Sequence, residues 1–405
     1  MERVILHCDC NSFFASVETA LNPCYKDVPM AVCGSEEDRH GIVLAKNELA
    51  KKCGIVTAET VYSARKKCPN LFIVKPHYDA YSDFSRRVNA IYADYTDKIE
   101  PFGIDESWLD ITASIRYFGS PEKIAEGIRR RVKEEIGITV SIGVSFNKVF
   151  AKLGSDYKKP DAITYITPEN YKDILFSLPA SDLLFVGKRT AEELRSMGVR
   201  TIGELAATHR SLLVSRFGKM GEMLYEYSNG LDESPVVAGV VSDAKSISNG
   251  FTFRHDLVTH SECRVAIEYL SEELGYKLRA NKQICTQVSL TVKDEYLKSI
   301  VRQRKLKSPT DIGSDIASCA YAILDDEWRE GKPIRMLTVA VMGLLRSASV
   351  AEQIDFFGNQ DVEEHLKNKK KEETVDKIRQ KYGNGSITRG AIISSDIGIY
   401  RRGEK

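Results

Sequence analysis

Three carboxylates lie where the sequence predicts the ends of β-strands. Asp9 follows the apolar run 4–8, and Asp105 and Glu106 occupy the turn of a predicted hairpin over 99–111. Acids that converge at one edge of a sheet repel each other unless cations lie between them. The ligands would be carboxylate oxygens, and we expect no histidine or cysteine beside them. Mg²⁺ or Mn²⁺ is therefore favoured over zinc. Two such ions about 4 Å apart support in-line phosphoryl transfer. The alternative is that all three are ordinary surface acids.

The elements that would position these acids follow one another as strand, helix, hairpin, helix and strand. The first strand ends at Asp9, a helix follows over 11–21, and an amphipathic helix spans 81–95. After the hairpin come a basic helix over 122–135 and a strand over 139–145. This order predicts a ferredoxin-like α+β sheet.

The rest of the chain changes its pattern twice. Residues from 168 to about 231 read as helices joined by glycine turns, 233–244 as an extended linker, and 245–345 as strands mixed with helices. A length of 405 residues predicts about two to four domains. We therefore expect a helical domain and a second, smaller α+β domain after the first.

Composition excludes two classes of protein. The chain is 42% hydrophobic and 28% charged, with a mean hydropathy of -0.27. It contains no apolar run of the roughly 20 residues that cross a membrane, and Asp9 interrupts the first apolar stretch before it could act as a signal peptide. Nine cysteines, an odd number without zinc-type spacing, fit the reduced thiols of the cytoplasm. Membrane proteins and disulfide scaffolds are excluded.

Net charge alone does not indicate a polyanionic partner. The formal charge is +1, from 58 basic and 57 acidic residues. The positive charge is nevertheless uneven, since the predicted strand over 298–307 carries Lys298, Arg302 and Arg304 and no acid after residue 300. We expect the acids to concentrate elsewhere, notably at 322–330. Such a run is either a solvated face or a surface that binds phosphates.

Several segments in the same order carry a family resemblance. Residues 9–18, 103–110 and 145–152, followed by Lys159 and a proline, closely resemble the active-site motifs of Y-family DNA polymerases, and the likeness extends over nearly the whole chain. The resemblance implies an α+β fold, a right-hand polymerase with a ferredoxin-like palm, small fingers, a helical thumb and a C-terminal α+β little finger. The implied boundaries are palm 1–12 and 76–167, fingers 13–75, helix-hairpin-helix thumb 168–232, linker 233–244, little finger 245–346, and tail 347–405.

The resemblance also implies roles in the palm and fingers. Asp9, Asp105 and Glu106 are expected to be catalytic and to hold two Mg²⁺ ions, or Mn²⁺ in their place, with the Cys10 carbonyl as a further ligand. Phe14 is the expected steric gate that excludes a ribose 2′-hydroxyl. The expected nucleotide-binding residues are Phe13, Phe14, Lys51 and Lys159. Because adjacent side chains diverge, one of the two phenylalanines is expected in the core. Glu48 departs from the family pattern beside Lys51, so either it points away from the triphosphate or the local register differs from that of the family.

Further implied residues would bind DNA and a partner protein. In the thumb, Gly187, Lys188 and Arg189 resemble a phosphate-binding hairpin, although Phe185 replaces its usual first glycine. In the little finger, Lys298, Arg302 and Arg304 are expected to contact DNA phosphates. In the tail, the residues expected to dock on a sliding clamp are Gln353, Ile354, Phe356 and Phe357.

These implications define an expected function and two alternatives. We expect a monomeric, cytoplasmic, template-directed DNA polymerase that acts on primer–template DNA and deoxynucleoside triphosphates. Because the domains use the whole chain, no proofreading domain is expected, which implies low-fidelity translesion synthesis in DNA repair. The alternatives are a nucleotide cyclase with a similar palm and a non-catalytic protein that binds DNA or the clamp.

Overall fold

The computed structural model describes residues 3–35, 39, 41–239, 244–347, 359–383, 386–388, 390–393 and 395–399. The chain divides into two units, Met1–Gly34 with Ile42–Val240 and Ser35–Gly41 with Val241–Lys405. No helix in the described part of the chain is long and apolar enough to cross a membrane. All nine cysteines are free thiols. The predicted clamp-binding residues Gln353, Ile354, Phe356 and Phe357 lie outside the described residues.

The first unit contains eight strands and twelve α-helices among its described residues. The strands are β1 (Ile5–Cys10), β2 (Met30–Cys33), β3 (Val43–Lys46), β4 (Phe72–Val74), β5 (Ile99–Pro101), β6 (Glu106–Asp110), β7 (Val140–Ser145) and β8 (Ile163–Ile166). The helices are α1 (Phe13–Leu21), α2 (Glu48–Lys52), α3 (Val61–Lys67), α4 (Tyr78–Ala93), α5 (Ile115–Phe118), α6 (Pro121–Arg131), α7 (Lys148–Tyr157), α8 (Tyr171–Leu175), α9 (Lys188–Ser196), α10 (Ile202–Ala207), α11 (Arg210–Phe217) and α12 (Lys219–Ser228).

The main sheet of this unit has the strand order β5-β6-β1-β7-β8. Both β6 and β7 pair antiparallel with β1, which confirms the predicted ferredoxin-like arrangement, and β8 adds a fifth strand parallel to β7. Because side chains alternate along a strand, Leu6 and Cys8 join the core with α1, α4 and α6. Ile5 and Trp108 instead pack with Ala151 of α7. The sheet is therefore covered on both faces.

Two smaller substructures complete the first unit. A three-stranded sheet of order β3-β2-β4 has its own apolar core with α2 and α3, around Val43, Ala50 and Val61. From Tyr171 to Ser228 the regular elements are helical, as predicted, and their core includes Leu194 and Leu224.

The second unit is the predicted second α+β domain. Its sheet has the order β11-β10-β12-β9, with β13 paired to β10. The apolar sides of α13 and α14 pack against this sheet. The elements are β9 (Ser246–Leu257), α13 (His260–Ala280), β10 (Gln283–Asp294), β11 (Ser299–Thr310), α14 (Gly313–Glu327), β12 (Ile334–Met342), β13 (Leu345–Arg346), α15 (Asn359–Tyr382) and α16 (Gly390–Ile393).

The described part of the tail packs onto this second domain. Ile392, Ile397 and Ile399 are buried in the same apolar core as α13 and α14. The Glu372 carboxylate of α15 accepts hydrogen bonds from the first amides of α14, 3.0 Å from Gly313 N and 3.4 Å from Ser314 N. Since the N-cap residue of α14 makes no side-chain cap of its own, the tail supplies the cap from elsewhere in the chain.

We expect Glu372→Ala to lower the free energy of unfolding by about 1–3 kcal/mol, because it removes this cap and one of the two carboxylates that pair with Arg279, the other being Asp376. The matched control is Glu373→Ala, an exposed neighbour that should change stability by about 0.5 kcal/mol or less. Urea unfolding of the full chain measures both. Equal unfolding midpoints for the two variants would contradict a structural role for the tail.

Candidate active site

The ends of β1 and β6 bring the three predicted carboxylates to one edge of the main sheet. The antiparallel register pairs Asp9 with Glu106. The Cys10 amide donates a 3.0 Å hydrogen bond to the Asp105 carbonyl. Strand pairing therefore places acids that are 96 or more residues apart in the sequence within one site. The three acids therefore lie together, as the sequence predicts, and their catalytic role stays a prediction.

A histidine that the sequence analysis overlooked lies beside Glu106. His7 precedes Asp9 by two residues on the same face of β1 and is fully buried. Its Nε2 lies 3.2 Å from Glu106 Oε2, and its Nδ1 lies 2.8 Å from Ser155 Oγ. Burial lowers the pKa of His7. The expectation that no histidine lies beside the acids was wrong, although strand alternation contained the signal.

Helix α7 adds a positive charge to Glu106. It can approach the sheet closely because Gly143 has no side chain, and a Cβ there would lie 1.9 Å from the Ala151 carbonyl oxygen. Lys152, on this helix, forms an ion pair with Glu106. Burial alone would raise the pKa of Glu106, but hydrogen bonds with His7 and Lys152 outweigh it and lower that pKa to about 2.

The other two carboxylates lie in a more negative environment. Burial raises the pKa of Asp9 and of Asp105, and the charge of Asp9 raises the pKa of Asp105 further. Lys159 partly compensates, with its Nζ 2.8 Å from Asp9 Oδ2 and 2.6 Å from Asp156 Oδ1. Burial alone would lower the pKa of Lys159, but Asp9 and Asp156 outweigh it and raise that pKa.

These residues fit a divalent cation site. Burial, together with the charge of Asp9 in the case of Asp105, raises the pKa of Asp9 and of Asp105, and a bound cation would favour the ionised form of both carboxylates. Ligand atoms of His7, Asp9 and Glu106 all lie within 4.8 Å of one another. Carboxylate oxygens are the ligands that Mg²⁺ and Mn²⁺ prefer. The predicted ligand role of the Cys10 carbonyl stays a prediction.

The second predicted triphosphate contact has a different environment. The Lys51 side chain is exposed at the end of α2, with its Nζ 3.7 Å from Glu48 Oε1. Glu48 faces Lys51 because the two side chains are three residues apart on one helix, and its orientation toward a triphosphate stays a prediction. A nearby cation, Lys46, was not predicted. Burial lowers the pKa of Lys46, and Lys51 lowers it further.

The two adjacent phenylalanines of α1 diverge as expected. The Phe13 ring is 3% exposed and belongs to the core, so it is not available to a nucleotide. Phe14 is only partly buried, and its ring stacks on Tyr81 of α4 with centroids 4.1 Å apart and an interplanar angle of 11°. Phe14 is thus the one of the pair that can present a ring face to a ligand.

Comparisons with known proteins identify the family of this chain. Family models match at residues 8–156 (impB/mucB/samB family), 244–356 (the C-terminal domain of that family) and 181–232 (DNA polymerase-iota, thumb domain). A DNA polymerase IV from Acetivibrio thermocellus is 45% identical over 405 residues, which cover 99% of this chain and 100% of the relative. The chain belongs to the Y-family DNA polymerases. Another DNA polymerase IV, from Clostridium acetobutylicum, is 36% identical over 98% of this chain and 100% of the relative.

A solved structure supports the Y-family fold. A Y-family DNA polymerase chimera matches with a TM-score of 0.75 and 24% identity, covering 84% of this chain and 99% of the chimera. This match confirms the expected α+β right-hand fold class. The individual domain boundaries given above stay predictions.

In the thumb hairpin of this Y-family chain, the backbone at Phe185 has a positive φ angle. Phe185, in place of the usual glycine, has φ 67°, in the left-handed region that favours glycine. Gly187 is the N-cap of α9, and it makes no side-chain cap bond. Lys188 and Arg189 are exposed in the first turn of α9. The role of this hairpin in phosphate binding stays a prediction.

The basic strand of the little finger is less separated from acids than expected. Lys298 immediately precedes β11, which carries Arg302 and Arg304 on exposed positions. Arg302 pairs with Glu327 at 2.9 Å, and Arg304 pairs with Asp326. The acids at 322–330, which are separate from this strand in the sequence, lie beside it in the structure because α14 ends next to β11.

Proposed function

We propose that this chain is a template-directed DNA polymerase that adds deoxynucleotides to a primer 3′ end, with low fidelity, in translesion synthesis during DNA repair. The observation that carries the proposal is the convergence of Asp9, Asp105 and Glu106 at one sheet edge with two raised carboxylate pKa values. Full-length similarity to proteins named DNA polymerase IV supports it.

The three carboxylates would hold two Mg²⁺ ions, or Mn²⁺ instead, together with the Cys10 carbonyl. Bound there, such ions supply Lewis-acid activation of the primer 3′-hydroxyl and neutralise charge on the triphosphate. His7 and Lys152 keep Glu106 ionised above its pKa of about 2, so it is ready to act as a ligand. Lys159, which lies beside Asp9, would pair with triphosphate oxygens as a point charge.

We propose that other residues discriminate between ribose and deoxyribose and bind DNA. Phe14 would lie beneath the sugar, where its ring leaves room for 2′-hydrogen and collides with a 2′-hydroxyl. Phe13 would contribute only its backbone, and Lys51 would be a second triphosphate contact. The residues proposed to bind DNA phosphates without reading sequence are Gly187, Lys188, Arg189, Lys298, Arg302 and Arg304.

A primer-extension assay separates the proposed function from its two alternatives. With a templated primer, deoxynucleotides and Mg²⁺, we expect addition of the nucleotide that the template specifies. Cyclic nucleotide formed without primer would indicate a cyclase. DNA binding with no nucleotide addition would indicate a non-catalytic protein. The cyclase alternative is disfavoured because such an enzyme needs no thumb or little finger, whereas this chain matches family models for both.

The tail residues 353–357 are proposed to dock on a sliding clamp. Apolar anchors dominate small peptide interfaces, and loss of two aromatic side chains can cost several kcal/mol. We expect Phe356→Ala with Phe357→Ala to leave distributive synthesis on a short primer unchanged and to abolish stimulation by the cognate clamp. The comparison controls for misfolding, because a misfolded variant would lose both activities. Equal stimulation of parent and variant would show that the clamp uses another surface.

The remaining parts of the proposal concern assembly and location. A single chain contains every proposed catalytic residue, so we propose that it works as a monomer. We also propose that it acts in the cytoplasm, where its nine thiols stay reduced. Sedimentation of the full chain at micromolar concentration tests the monomer.

A further inference from the structure

A buried carboxylate ties the helix that carries Phe14 to the neighbouring helix α4. Glu18 lies four residues after Phe14, on the same face of α1. Its side chain is 3% exposed. It accepts a hydrogen bond from the Tyr81 hydroxyl, and its two oxygens lie 2.9 and 3.0 Å from His77 Nδ1. His77 and Tyr81 are in turn four residues apart at the start of α4.

These contacts make Tyr81 a shared support. Its ring is fully buried, and one face of the ring stacks on Phe14. At the far end of the ring, its hydroxyl is held by Glu18. Burial raises the pKa of Tyr81, and the bond to Glu18 raises it further, so the hydroxyl stays protonated and donates. Tyr78 meets both rings edge-on, with centroids 6.1 Å from Phe14 and 5.9 Å from Tyr81. Two residues of α1 therefore contact Tyr81, Phe14 at the ring face and Glu18 at the hydroxyl.

We propose that Glu18 is a positioning residue for sugar discrimination. It acts through Tyr81 to fix the tilt and the position of the Phe14 ring. This inference rests on the proposed function, in which Phe14 is the steric gate. A gate discriminates only if its ring cannot move aside when a 2′-hydroxyl presses on it. Displacements of about 1 Å at a reacting site can change rates about 10²-fold.

The energetics of burial explain why this support is rigid. A carboxylate that is 97% buried is strongly disfavoured unless hydrogen bonds compensate for its lost hydration. Glu18 obtains those bonds only while Tyr81 and His77 keep their places. Any tilt of Tyr81 therefore leaves a buried carboxyl group without one of its hydrogen-bond partners. The Phe14–Tyr81 stack alone carries no such penalty.

The test is the ratio of ribonucleotide to deoxynucleotide incorporation, measured as kcat/KM for each on one primer–template. We expect Glu18→Ala and Tyr81→Phe each to raise this ratio by about tenfold, with a smaller change in deoxynucleotide addition. Glu18→Gln retains an acceptor for the Tyr81 hydroxyl, so its ratio should stay within about twofold of the parent. The variant that combines Glu18→Ala with Tyr81→Phe should have the same ratio as Glu18→Ala alone, because the Glu18–Tyr81 bond is already absent there.

Tyr92→Phe is the matched control, since it makes the same change at a buried tyrosine of the same helix. It should not move the ratio. Thermal unfolding of each variant shows whether folding is retained. Suppose that the parent adds deoxynucleotides and that Glu18→Ala and Tyr81→Phe have the same ratio as Tyr92→Phe. This result would overturn the inference about Glu18 and leave the proposed function standing. A parent without deoxynucleotide addition would overturn the proposed function and this inference with it.

Discussion

Asp105→Asn combined with Glu106→Gln should reduce nucleotide addition by at least about 10³-fold, because both amides keep the side-chain volume but remove charge that metal ions need. Single-turnover primer extension with Mg²⁺ measures the loss. The matched control is Asp110→Asn, at the other end of β6, where the side chain binds Thr112 N at 3.0 Å. That variant should extend primers like the parent. Near-parent extension by the double variant would contradict the two-metal assignment.

The single substitution Asp105→Asn should also affect thermal stability in a metal-dependent way. Without metal, burial and the charge of Asp9 disfavour the ionised form of Asp105. Asp105→Asn alone should therefore not lower the melting temperature of the metal-free protein, and it should weaken the stabilisation that added Mg²⁺ gives to the parent. This readout does not depend on catalysis, so loss of activity through misfolding can be distinguished from loss of the metal ligands.

The carboxylate site could be predicted because its signal is local. Asp9, Asp105 and Glu106 each border an apolar strand, and the order of the elements decides which strands become neighbours. His7 was missed for a different reason. Its role depends on which helix covers that face of β1, and the residue that makes this cover possible, Gly143, is distant in the sequence. Strand periodicity places His7 beside Asp9 but does not identify what lies opposite.

Contacts between charged groups were the least predictable. Pairing of Arg302 with Glu327 depends on where α14 ends relative to β11, and a run of basic residues contains no information on that. The cap that Glu372 gives to α14 joins residues 59 positions apart. The weak apolar periodicity of α15 gave no reason to expect that it packs on the second domain, since polar contacts hold much of it there.

Phe14→Ala should raise the ratio of ribonucleotide to deoxynucleotide incorporation by about 10²-fold or more, because it opens the space beneath C2′. The effect should exceed that of Glu18→Ala, since it removes the gate rather than its support. The matched control is Phe150→Leu. Phe150 is fully buried in the core of the helical segment, so this substitution should lower stability by about 1 kcal/mol and leave the sugar ratio unchanged. Steady-state incorporation of both nucleotides opposite one template base measures the ratios. If Phe14→Ala lowers stability and leaves the ratio at the parent value, the Phe14–Tyr81 stack is core packing and another residue excludes the ribose.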